Sequence, residues 1–103
     1  MAIEGKWKLF FSTPAGDQQP VVTFSFSNDK LQGVCHNSAT GEDTELDDIE
    51  YDEDWVSWSL ETTQPKPGIA KFDMELNDDN TMTGKMKMGK FPIKFTVEGE
   101  KIE

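Results

Sequence analysis

Apolar and polar positions alternate with a period of two along almost the whole chain. Trp7, Leu9 and Phe11 interleave with Lys6, Lys8 and Phe10, which predicts a half-buried strand with Phe10 as an irregular apolar residue on its outer face. Thr13-Pro14-Ala15-Gly16-Asp17 is turn chemistry, since Pro fixes φ and Gly permits positive values. Val22, Phe24 and Phe26 then alternate with Thr23, Ser25 and Ser27, and Asn28-Asp29-Lys30 reverses the chain into a strand over Leu31–His36. The stretch from about 43 to 51 is harder to assign, because Leu46 and Ile49 fall on opposite faces; a bulge near Asp47-Asp48 reconciles them. Val56, Trp58 and Leu60 share a face, as do Ala70, Phe72, Met74 and Leu76 in the next strand. Met82, Gly84, Met86 and Met88 follow, then Phe91, Ile93, Phe95 and Val97. No window has helical spacing.

The prediction is therefore all-β: an eight-stranded antiparallel up-and-down meander within one domain, residues 1–103. An open sheet of this kind has two edges that invite aggregation, and closure into a barrel removes them. A long-range echo suggests a duplicated four-strand unit. Trp7 and Phe24 lie seventeen residues apart, and so do Trp55 and Phe72, forty-eight residues further on. The inward residues are large, so a mostly packed barrel with a small apolar pocket at one end is expected.

Gly5-Lys6-Trp7 on the first strand resembles the Gly-x-Trp signature of the calycin group, which includes lipocalins, fatty-acid-binding proteins and avidins. The resemblance implies that Trp7 closes one end of the barrel and that a basic residue of the last strand, Lys101 in Gly99-Glu100-Lys101, lies across its ring. Lipocalins usually carry Arg there. Thr13-Pro14-x-Gly16, Leu31-x-Gly33, Phe72-x-Met74 and Met82-x-Gly84 extend the likeness, over nearly the whole chain, to small bacterial lipocalin-like proteins of unknown function. Most of these are glycines, turn residues and core residues, which speak for shape rather than activity. No residue set matches the biotin ligands of avidins or the paired arginines of fatty-acid-binding proteins.

Twenty acidic residues against ten lysines, with no arginine, set a net charge of −10. That balance disfavours nucleic acid and anionic membrane surfaces as partners. Guanidinium forks, the preferred tool for phosphate and carboxylate recognition, are absent. Cys35 is the one cysteine, so no intrachain disulfide forms. Met1-Ala2-Ile3-Glu4 has no charged segment followed by an apolar stretch, and no run is long enough to cross a bilayer. A cytoplasmic protein is the expectation.

Candidate chemistry is sparse. Glu42–Asp54 holds nine carboxylates in thirteen residues. Calcium would need six to eight oxygens converging on one point, whereas alternation sends neighbours to opposite faces; a solvated strand that resists edge pairing accounts for the segment better. Asn77–Thr81 reads as a hairpin turn before a cation loop. His36 and Cys35 are adjacent, so on a strand they point apart. With Leu31 inward, Cys35 becomes a small core residue and His36 faces out, which argues against haem ligation and Cys–His catalysis alike. Lys85, Lys87, Lys90 and Lys94 make the basic patch: a solvated hairpin face, or a surface that meets the acidic strand of the same or a neighbouring molecule. Met74, Met82, Met86 and Met88 are adaptable packing.

Taken together, the sequence supports a non-enzymatic binding module without a cofactor. A small apolar ligand would lie among Phe24, Phe26, Trp58, Phe72, Met74, Met86 and Phe95. The alternative is a packed barrel acting through its surface, as a homodimer or other homo-oligomer, or with a protein partner. A filled interior would shift the reading to the second.

Overall fold

The computed structural model describes residues 3–13, 16–37, 41–62, 68–77, 79–89 and 94–103. Among them all regular structure is strand: β1 (Gly5–Thr13), β2 (Gly16–Gln18), β3 (Val21–Ser27), β4 (Lys30–Asn37), β5 (Glu42–Glu45), β6 (Asp47–Tyr51), β7 (Trp55–Thr62), β8 (Gly68–Leu76), β9 (Thr81–Met88) and β10 (Lys94–Lys101). The sheet runs β5-β4-β3-β1-β10-β9-β8-β7-β6, with β2 on β1. Every pairing is antiparallel, and the first strand meets the last through Trp7↔Lys101 to Phe10↔Glu98. The two ends of this path, β5 and β6, are separated in the chain by Leu46 alone. The molecule is thus an all-β, nearly closed antiparallel barrel, an architecture compatible with a calycin-like fold.

Ten strands stand where eight were expected, and both additions arise from interruptions. β2 and β3 keep one register on β1, from Phe11↔Gln18 to Lys8↔Val21. Pro20 breaks the run because it has no N–H; its carbonyl still accepts from the Leu9 N–H at 2.9 Å. Gly16 and Asp17, expected in a turn, begin β2. The second interruption is the anticipated bulge: the β6–β7 register shifts between Asp47 and Glu50, and Asp48 takes φ 51. The chain accordingly pairs with β4 before Leu46 and with β7 after it. Leu46 itself is buried and donates its N–H to the Gly33 carbonyl at 2.9 Å.

Alternation places the core where it was predicted. Trp7, Leu9, Val22, Phe24, Val56, Trp58, Phe72, Met74, Met82, Met86 and Val97 are all buried in one cluster. The β3–β4 reversal uses two residues, Asn28 (φ 53) and Asp29 (φ 64), the doubly positive turn that matches strand twist. The Trp7/Trp55 echo does not extend to a common environment: Trp7 is fully buried, whereas Trp55 is 39% exposed. Phe91 and Ile93 lie outside the described residues. No helix among the described residues is long and apolar enough to cross a membrane.

Candidate functional site

Of the seven residues assigned to a ligand pocket, five fill the barrel's centre. Phe24, Trp58, Phe72, Met74 and Met86 are each at most 3% exposed. Trp58 stacks on Phe72 with centroids 5.1 Å apart and takes the edge contact of Phe24 at 5.4 Å. Phe11 closes on Phe72 from β1 at 5.8 Å. Such contacts add to area burial and leave the rings satisfied by one another. Phe95 packs half-buried against the same core. Phe26 stands apart from this group: it is 39% exposed and meets Tyr51 at 5.6 Å near the β3–β4 turn. The buried Trp58 Nε1 in the centre has no acceptor among the described residues.

The end of the barrel near the chain termini is closed by the first and last strands. Lys101 Nζ lies 5.8 Å from the Trp7 ring centroid, the contact implied by the calycin resemblance. The Trp7 Nε1–H donates to the Ile3 carbonyl at 2.8 Å, which draws the segment before β1 across this end. Gly5 takes φ +127, and a Cβ there would strike the backbone carbonyl of Glu103. That is the local reason for glycine two positions before Trp7. The Lys6 N–H donates to the same carbonyl at 3.0 Å.

Open space lies outside the core. A groove of about 450 Å³ is lined by Ile3, Tyr51, Asp52, Glu53 and Leu76 at this same end. A second, of about 420 Å³, includes Phe10, Phe11, Asp17, Gln19, Thr96 and Glu98. It forms where the β1–β10 pairing stops at Phe10↔Glu98 and β1 continues on β2 alone. Phe10 is half-buried there, with Lys8 Nζ 5.7 Å from its ring centroid.

All nine carboxylate residues of Glu42–Asp54 are exposed. Among the described residues no three His, Cys, Asp or Glu side chains converge to hold a metal ion. His36 faces out and bonds Asp43 through Nδ1 at 2.6 Å. Cys35 packs against the core, where burial first and the Asp43 charge second push its thiol up to about 11. The two side chains point apart, as strand alternation required.

The basic patch gains a member that reading along the chain missed. Lys71 on β8 stands directly opposite Lys87 on β9, which stands directly opposite Lys94 on β10. All three are exposed, and none has an ion-pair partner among the described residues. Lys85, one row along, donates to Thr96 Oγ1 at 2.8 Å; Lys90 lies outside the described residues. Alternation placed Lys71 on the outer face, but only the β8–β9 register brings it beside Lys87. In comparisons with protein-family models, curated proteins and solved structures, nothing matches the chain.

Proposed function

We propose that this chain is a calycin-like, non-enzymatic barrel that works through its outer surface as a protein-interaction module in the cytoplasm. The observation that carries this reading is the occupied centre, where Trp58 contacts both Phe24 and Phe72, while the two grooves described above lie elsewhere. The Cys35 thiol, held protonated at neutral pH, supports the non-enzymatic part. The test is titration with an apolar fluorescent dye while Trp emission is followed. The expected result is no saturable micromolar binding; micromolar binding that quenches Trp58, and is lost in Trp58→Phe, overturns the reading.

The second reading keeps a small apolar ligand inside the barrel, among Phe24, Phe26, Trp58, Phe72, Met74, Met86 and Phe95. Trp58 Nε1 favours it, because this buried donor has no acceptor among the described residues and a ligand oxygen would satisfy it. The buried Met74, Met82 and Met86 could repack around such a guest. The same titration decides between the two.

A further inference from the structure

We infer that the lysine row Lys71–Lys87–Lys94 is a docking surface for the acidic segment Glu42–Asp54 of a second copy of this chain. This rests on the surface-acting reading above and names its partner. Like charges directly opposite across strands destabilise a sheet, and here three stand abreast, Lys71↔Lys87↔Lys94, with no ion pair to a carboxylate among the described residues. On a protein of net charge −10 such a row is the local exception. Its counterpart is a run of nine exposed carboxylates, among which Asp43 bonds the imidazole of His36.

Position decides that the partner is another molecule. In the sheet order β8, β9 and β10 stand two, three and four strands from β6. At about 4.8 Å per strand, the middle of the row lies some three strand spacings round a curved wall from its nearest acidic strand. Lys87 and Lys94 are therefore three and four strands from the Glu42–Asp54 acids of their own chain. Spacing also fits. Lysines abreast repeat at about 4.8 Å and same-face residues along a strand at about 6.8 Å, a difference that flexible lysine stems absorb. Net repulsion between copies does not forbid the contact. At 0.15 M salt the screening length is about 8 Å, well below the 33 × 24 × 23 Å dimensions of the molecule, so facing charges outweigh distant ones.

The experiment is sedimentation velocity of the whole chain from 10 to about 500 micromolar in 0.15 M and 1 M NaCl. Three proteins are compared: wild type, a row variant (Lys71→Glu, Lys87→Glu, Lys94→Glu) and an acid variant (Asp43→Lys, Glu45→Lys, Glu50→Lys), each checked for native circular dichroism. Wild type should associate at 0.15 M and dissociate at 1 M salt. Each variant alone should associate at least about tenfold more weakly. An equimolar mixture of the two should associate again, because every reversed face then meets its complement. A wild type that is monomeric throughout overturns the inference, as does association that survives row reversal or 1 M salt. Polyphosphate or phosphatidylglycerol vesicles captured by the row of a strictly monomeric protein would also overturn it. Dye bound in the core would instead remove the surface-acting reading itself, so the two failures are distinguishable.

Discussion

Two residues show how tightly single positions are constrained. Gly84 lies opposite Met74 on β8 and opposite Val97 on β10. A Cβ at Gly84 would strike the Asp73 carbonyl oxygen and the Met74 Cα, which are backbone and cannot rotate away. Gly84→Ala should therefore destabilise the fold by at least about 2 kcal/mol in urea unfolding, at the upper end of overpacking costs. At Gly99 the nearest atoms to an added Cβ belong to the flexible side chains of Leu9 and Met82, so the same change should be tolerated better there. Cys35 illustrates a different constraint. Its thiol ionises near 9.0 when unperturbed and near 11 in the fold, where burial and the Asp43 charge disfavour the thiolate. The unfolded chain thus loses this proton first. Stability from Cys35 is complete below pH 9 and falls as pH rises towards 11. Denaturant titrations across that window should give a steeper decline for wild type than for Cys35→Ala.

At the scale of elements, the hairpin β8–β9 and its neighbour β10 are held together despite their lysines rather than by them. Their inward faces bring Phe72 opposite Met86 and Phe95 beside it, and burial of that layer offsets the outer repulsion. Lys87 is the middle charge and faces two like partners, Lys71 and Lys94. Lys87→Gln should accordingly stabilise the monomer by about 0.2–1 kcal/mol at low salt. The gain should fade as ionic strength rises. Thermal melts at 20 mM and 500 mM NaCl would measure it, and equal gains at both would show that charge is not the cause.

For the whole molecule, closure depends on two seams of different kinds. One is the ladder between β1 and β10, the strands farthest apart in the chain. The other is the single strand run over β5 and β6, which pairs first with one neighbour and then with the other. The first seam is reinforced by Lys101 over Trp7. Lys101→Met keeps the stem and removes the charge, so it should cost about 0.5–1 kcal/mol, read as a lower urea midpoint with an unchanged slope. Much of the barrel was legible beforehand: the inward set from Trp7 to Val97, the bulge at Asp48, the outward His36 and the Lys101–Trp7 contact. The candidate surface was legible only in part. Lys85, Lys87 and Lys94 were visible as a cluster because they are close in sequence; Lys71 was not, because nothing along β8 announces which residue of β9 lies beside it.

The division has a physical basis. Side chains alternate along a strand as a matter of local backbone geometry, so the sequence by itself determined which residues point inward and that the chain is all-β. Register between strands, the depth to which an inward residue is buried and the face on which a distant neighbour arrives depend on the sheet as it wraps. Only the tertiary structure could therefore separate Trp7, sealed in the core, from its echo Trp55, half in solvent. It alone could fill the centre with Phe24, Trp58 and Phe72, and set three lysines from three strands side by side.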